Sequence, residues 1–392
     1  MFDDKRILIW GFGREGQSTN HFLKRCSKPS KVDVFEGTRD KIDEDDYDFI
    51  IKSPGIAMEE DHPKYTSQTE IFLTAHRDKV IGITGTKGKS TTSSMMFHVL
   101  SRCLPDKKVI LLGNIGEPCL DYFDEVDDNT IVVFEMSCHQ LCHTKVSPHI
   151  AVFLNLYEEH LDYYNTFEKY FEAKKHIALY QHEDDRFFVG DEVPEFDVPG
   201  KKTVLRWDDK PTYDLKILGE HNNYNAYFVY TIATSVYGID PAAVTEALAD
   251  FDGLAHRLQF IGKVDGVDYY DDSISTIPNA AIKALESISN VKTILIGGMD
   301  RGINYDVLID YINEHHEYNY IFSYDSGKRI FDSIGKCSNC FYVPDLEGAT
   351  TLAKGITMPG EAVLLSPASA SYGYFKNFEQ RGEMFKEYAG CK

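Results

Sequence analysis

The segment Val80–Thr92, VIGITGTKGKSTT, decides how the chain is read. Val80, Ile81 and Ile83 form a short apolar run, Gly85-Thr86-Lys87-Gly88 makes a glycine turn, and Lys89, Ser90 and Thr91 open a helical stretch toward Leu100. Strand, turn and helix in that order aim backbone N–H groups and the positive end of a helix dipole at one point, which suits a polyphosphate. Lys89 is placed to reach the β- and γ-phosphates, and the Ser90 hydroxyl to meet Mg²⁺. The spacing departs from the usual pattern, because Ile83 holds the first-glycine position and Gly82 lies one residue earlier. A purely structural turn would leave Lys89 and three successive hydroxyls unexplained, so the segment is read as a phosphate loop.

Around it, apolar runs at 79–83, 108–112, 130–134, 150–154 and 186–189 alternate with helical stretches. That rhythm predicts a mainly parallel sheet with ligands at the carboxyl ends of its strands. Just past those ends come Glu135, Ser137 and Gln140, then Asn155, Glu158, Glu159, His160 and Asp162. Acids and a histidine beside a phosphate loop suit a Mg²⁺ site, although Mg²⁺ prefers oxygen ligands. In the helical segment Phe167–Tyr180, Lys174 falls among the apolar positions. Helix lysines are ordinarily exposed, so spacing alone gives Lys174 no role. Asn222 and Asn225 open another helix three residues apart, on one face suited to a base or ribose.

The chain begins with the same strand-to-helix logic. Residues 5–12, KRILIWGF, run into Gly11-x-Gly13-x-x-Gly16, and a second strand, Val32–Phe35, ends at Glu36. This is a Rossmann opening, with an acid about 20 residues on to meet a ribose hydroxyl. The unit closes near residue 78, after the turn Ser53-Pro54-Gly55, which is short for NAD and better matched to a nucleoside diphosphate. A hinge is expected at Phe251–His256, followed by strands at 267–270, 292–296, 318–322 and 361–365. The predicted organisation is α/β in three domains: residues 1–78 Rossmann-like, 79–255 a central P-loop ATPase-like parallel sheet, and 256–392 a second Rossmann-like domain.

Composition narrows the function. Forty-one basic against 62 acidic side chains give a net charge of −21, a surface that repels nucleic acid and anionic lipid. Anionic ligands must then be caught by local loops and cations. No apolar run approaches the ~20 residues that span a bilayer, and MFDDKRILIW lacks the order of a secretory signal. A cytoplasmic protein without membrane insertion is expected, with its eight cysteines reduced. Cys337-x-x-Cys340 has ligand-like spacing but no second pair, so no zinc site is expected. Nothing suggests a coiled coil or a dimer helix, which leaves a monomer as the default.

Together the motifs TGTKGKST, GNIG, FEMSCHQL, HLD with the later EAK, GEHNNYNA, AHR and LSPASASYGYFKNFEQRG resemble the Mur ligase family, the ATP-dependent amide-forming enzymes of peptidoglycan precursor synthesis. The resemblance covers essentially the whole chain. GFGREG, SPGIA at 53–57 and KNFEQRG are most similar to the glutamate-adding branch. It implies an ATP-dependent ligase that joins D-glutamate to UDP-N-acetylmuramoyl-L-alanine through an acyl phosphate, with three domains for the UDP-sugar, ATP and the amino acid. Carried over by position, the UDP-sugar contacts are Gly13, Arg14, Glu15, Gly16, Glu36, Gly55, Asn114, Ser137 and Gln140. ATP falls to Gly85, Thr86, Lys87, Gly88, Lys89, Ser90, Thr91, Asn225, Arg257 and Asp272. Two Mg²⁺ ions fall to Ser90, Glu135, His160 and Lys174, the last as a carbamylated lysine, and catalysis to Lys89, His160 and Lys174.

One departure bears on the substrate. Glutamate-adding relatives commonly read DSKATN where this chain reads Asp272-Ser273-Ile274-Ser275-Thr276-Ile277. The implied amino-acid contacts are therefore Thr276, Arg301, Ser371 and the Phe378 backbone. An absent cation beside a dicarboxylate costs ~1.5–3 kcal/mol unless something replaces it, so L-glutamate or another amino acid is the alternative to D-glutamate. Two remoter alternatives are a folylpolyglutamate-synthase-like ligase, which would lack the GFGREG domain, and a nucleotide sensor, which would not need Glu135, His160 and Lys174.

Overall fold

The structure, a computed structural model, describes residues 2–58, 62–114, 117–217, 219–335 and 337–391, without the side chains of Leu161 and Asp162. Ile115 and Gly116 of the GNIG motif, and the Asp162 side chain, thus lie outside the described residues. The chain divides into two compact units, Met1–Leu215 with Glu220–Phe251, and Lys216–Gly219 with Asp252–Lys392.

The first unit carries two parallel sheets. β1 (Arg6–Trp10), β2 (Lys31–Phe35), β3 (Phe49–Lys52) and β4 (Tyr65–Thr66) lie in the order β2-β1-β3-β4. β5 (Val80–Thr84), β6 (Lys108–Gly113), β7 (Thr130–Glu135), β8 (Ile150–Phe153), β9 (Arg186–Gly190) and β10 (Lys201–Leu205) lie in the order β10-β9-β8-β5-β7-β6. The apolar run before the phosphate loop is β5, buried at every residue and paired with β7 on one side and β8 on the other. The chain goes to β6 and β7 on one flank of β5 and then to β8 on the other. That reversal is the switch point where open α/β sheets hold ligands. Gly82 belongs to β5 rather than to the loop, and a Cβ there would meet Pro148 at 2.6 Å.

One hydrophobic core joins the two sheets, running from Ile7, Ile9 and Phe72 to Phe134, Phe153 and Ile177. At the amino ends of β8 and β9 a buried Asp185 accepts from His149 Nδ1 at 2.6 Å and pairs with Arg77, whose Nε donates to the Ser147 carbonyl. This node stands at the end of the sheet away from the phosphate loop.

The second unit holds β11 (Gln259–Val264), β12 (Val267–Asp271), β13 (Val291–Ile296), β14 (Asn319–Phe322), β15 (Cys340–Tyr342) and β16 (Ala362–Leu365), in the order β11-β12-β16-β13-β14-β15. All pairs are parallel except β11 with β12. Alternation along the strands fills two cores, Ile294, Ile296 and Leu364 on one face, Leu295, Val363 and Leu365 on the other. β3, β4, β10, β11 and β15 were not expected from the sequence; β11 is an edge strand whose register shifts between Phe260 and Gly262.

Candidate active site

The phosphate loop is built from the β5 end outward. Thr86 N donates to the Asn155 carbonyl (3.0 Å), and Lys87 N to Asn155 Oδ1 (2.9 Å), whose Nδ2 returns a bond to the Lys87 carbonyl (3.1 Å). Asn155, just past β8, therefore shapes the turn, a role its sequence position did not announce. Gly88 has φ +81°, and a Cβ on it would stand 2.6 Å from Asn225 Oδ1, so only glycine fits. Asn225 also donates to Asn222 Oδ1 at 3.1 Å, so the two asparagines face each other inside the protein rather than lining an open face together. Helix Lys89–Cys103 starts with no side-chain cap, which leaves its first N–H groups, with Ser90 and Thr91 in the first turn, for an anion. Lys87 reaches outward to Glu159, 2.5 Å away.

Two lysines converge on one carbonyl. Lys89 Nζ donates to Gly85 O and Thr86 O, both at 3.0 Å, and Lys174 Nζ donates to the same Gly85 O at 2.8 Å. Lys174 is only 1 % exposed, which overturns the reading of an ordinary surface lysine. Its amine also lies 4.9 Å from the Tyr170 ring centroid. Burial, then the charge of Lys89, brings the Lys174 amine down to about 7; burial lowers Lys89 as well. Such an amine is largely neutral in mildly alkaline water and hence nucleophilic.

At the end of β7 Glu135 is fully buried. Its Oε1 accepts from Asn114 Nδ2 at 2.8 Å, while Oε2 has no hydrogen-bond partner among the described residues. An orphaned buried carboxylate oxygen is costly unless a ligand completes it, and its chemistry fits Mg²⁺. His160 is exposed at φ +57°, with the His139 ring 5.0 Å and the Tyr170 ring 6.0 Å away. Among the described residues no three His, Cys, Asp or Glu side chains form a metal cluster.

The glycine turn after β1 closes tightly: a Cβ on Gly16 would stand 2.1 Å from the Gly11 carbonyl. Gly13, by contrast, has open space. Arg14 pairs at the surface with Glu117 (2.7 Å), and Glu36 and Gly55 are exposed. Ser137 and Gln140 form a capping box on the short helix Cys138–Leu141, and Gln140 Nε2 donates to Glu15 Oε1 at 3.0 Å. Lys52, at the end of β3, is buried and donates to Ser53 O (3.2 Å) and Ile56 O (2.7 Å). Nothing in the spacing around Lys52 singles it out.

In the second unit Asp271 accepts from His256 Nδ1 at 2.6 Å, and Asp272 accepts from Ser366 Oγ (2.7 Å) and Leu258 N (3.2 Å). Burial raises the Asp272 carboxyl to about 6. Arg381 is 1 % exposed and donates to Ser273 Oγ, Ser273 O and Ser369 O at 3.0, 2.7 and 3.0 Å. The Phe378 carbonyl accepts from Ser273 Oγ at 2.8 Å. Ser371 is buried, whereas Arg257, Thr276 and Arg301 are exposed. The motif KNFEQRG thus contains a structural arginine that an exposed-charge reading of the sequence misses.

Residues 83–203 match the model of the Mur ligase middle domain. The chain is 31% identical to the UDP-N-acetylmuramoylalanine–D-glutamate ligase of Streptococcus agalactiae, covering 98% of this chain and 96% of that protein. It is 28% identical to the ligase of the same name from Oenococcus oeni, covering 98% and 97%. Among solved structures it is similar in fold to the MurF ligase of Thermotoga maritima in complex with ADP, with a TM-score of 0.60, 17% identity, and coverage of 98% and 95%. The UDP-N-acetylmuramate–alanine ligase of that organism gives a TM-score of 0.58 at 20% identity, covering 99% and 100%.

Proposed function

The chain belongs to the Mur ligase family, and on that premise we propose that it joins D-glutamate to UDP-N-acetylmuramoyl-L-alanine with ATP. It is an ATP-dependent amide-forming ligase. In this reading the sheet of residues 1–78 holds the UDP-sugar, 79–255 the ATP, and 256–392 the amino acid. A cytoplasmic site of action follows from the use of ATP and a UDP-linked substrate.

The observation that carries the proposal is the convergence of Lys89 and Lys174 on the Gly85 carbonyl beside the half-satisfied carboxylate of Glu135. The loop amides and Lys89 hold the ATP phosphates. The muramoyl-alanine carboxylate attacks the γ-phosphorus, ADP leaves, and an acyl phosphate forms. The amine of glutamate then attacks the acyl carbon, loses a proton and expels phosphate. Catalysis is positioning plus neutralisation of charge. Glu135 Oε2, the Ser90 hydroxyl, His160 and Lys174 would hold Mg²⁺, which when bound neutralises charge on the phosphates. The lowered Lys174 amine supports carbamylation: the lone pair of its neutral form attacks CO₂, one proton is released, and a neutral buried amine becomes a carboxylate. Gly13, Gly16, Glu36, Gly55 and Asn114 serve the UDP-sugar in this reading, Asn225, Arg257 and Asp272 the nucleotide, and Thr276, Arg301, Ser371 and the Phe378 backbone the glutamate.

Phosphate release from ATP, Mg²⁺ and UDP-N-acetylmuramoyl-L-alanine, with D- or L-glutamate added separately, tests the reading. Turnover with D-glutamate supports it. Turnover with L-glutamate alone would favour the second reading, for which Ile274 in place of a lysine speaks. Silence with both would remove the assignment.

A further inference from the structure

Three turns expected at the UDP-sugar site, 13–16, 53–57 and 137–140, meet around one buried group of polar side chains. Lys52 Nζ holds the 53–57 turn through Ser53 O and Ile56 O. The Lys52 charge also bears on the Glu15 carboxylate, in the first turn of helix Arg14–Cys26. Glu15 Oε1 accepts from Gln140 Nε2 at 3.0 Å. The other end of the Gln140 amide, Oε1, accepts from Ser137 N at 2.9 Å and Ser137 Oγ at 3.1 Å. Two residues before Ser137 stands Glu135. A carboxylate beside a diphosphate repels it, so Glu15 is poorly suited to touch that ligand. It is well suited to hold the groups that do.

We propose that Glu15 is a positioning residue that acts through Gln140: the Glu15–Gln140 strut sets the glycine turn of the first sheet in register with the loop that carries Glu135. This rests on the reading of the reaction given above and replaces the expectation of a direct Glu15 contact to substrate. The strut matters because the loop is not packed solid behind it. A cavity of about 260 Å³ is lined by Lys52, His139 and Gln140 among others, so the 137–140 turn has room to shift once the bond is lost. The hydrogen bond needs the acceptor oxygen of residue 15 rather than its charge, which separates a glutamine from an alanine at that position.

Full-length wild type, Glu15→Ala and Glu15→Gln are compared in two ways. Without any substrate, deuterium exchange of amides 137–142 is expected to speed up roughly tenfold in Glu15→Ala and to stay within about threefold of wild type in Glu15→Gln. In phosphate release, Glu15→Ala raises KM for UDP-N-acetylmuramoyl-L-alanine roughly tenfold with KM for ATP within about twofold, and Glu15→Gln recovers most of that loss. Unchanged exchange in Glu15→Ala overturns the proposal, as does a glutamine variant as impaired as the alanine one. If Glu15→Ala does not fold, Glu15→Asp, one methylene too short to reach Gln140, takes its place with the same expectations. A wild type silent with every amine would remove the reaction assignment, while the exchange comparison would still decide the strut.

Discussion

The phosphate loop and the strand ends of the third sheet both bury charge, and they treat it in opposite ways. Around Arg381 the network is closed: each of its three nitrogens meets an acceptor, and Asp271 accepts from both His256 Nδ1 and Ser273 N. Around Gly85 it is open, with two amines on one carbonyl and, at Glu135, a carboxylate oxygen that has no partner among the described residues. Closed networks fix a shape, whereas open ones are completed by a ligand. The first region is scaffold for exposed contacts such as Arg301, and the second is where chemistry is expected.

The largest effect that would break this contrast is on turnover. Lys89→Ala is expected to lower kcat on the order of 10²–10³-fold, at a cost of about 1 kcal/mol in unfolding, since Thr86 O loses its donor while Gly85 O keeps Lys174. Arg381→Met should do the reverse, costing about 3 kcal/mol in urea unfolding because buried carbonyls lose their donors. If Lys89→Ala proves the more destabilising of the two, the division between scaffold and site is wrong. Glu135→Gln retains the bond partner of Asn114 and loses the anion. It should raise the Mg²⁺ concentration needed for half-maximal activity about tenfold or more, while leaving the melting temperature level or higher.

Effects of pH differ in sign between the regions. Lys174 holds its proton only to about 7 when folded, against 10.5 when unfolded. The unfolded chain therefore binds more protons between those values, and this group's contribution to stability rises with pH across that window. In carbonate-free buffer, Lys174→Met should be more stable than wild type near pH 7, an advantage that shrinks toward pH 10.5. His256 is raised above 6.5, first by its hydrogen bond to Asp271. Its contribution is fully present below pH 6.5 and is lost as pH rises through the raised value, so His256→Asn should flatten that fall. Urea titrations at stepped pH measure both slopes.

The parallel sheets were legible in the sequence because fully buried strands are unbroken apolar runs, as in Ile131–Phe134 and Ile150–Phe153, and because glycine turns mark where they stop. β11 was hidden because Gln259–Val264 mixes polar and apolar residues, and Gly262 at φ +145° marks its shifted register. Residue types that normally face water were the harder part of the site. Spacing gave Lys174 no role and did not single out Lys52 or Arg381, and only tertiary packing shows each of them buried. The phosphate loop was visible because its chemistry lies in contiguous backbone. The Glu15–Gln140 bond was not, since 125 positions separate its partners.

The Asp185 node gives the molecule a handle. It ties the amino ends of β8 and β9 through Arg77 and His149, at the end of the sheet remote from the loop. Its neighbour Asp184 has a fully accessible side chain joined only loosely to Lys201, at 3.5 Å. A dye or surface linker attached at Asp184 would be anchored to a stiff part of the protein yet held clear of the ligand-facing loops.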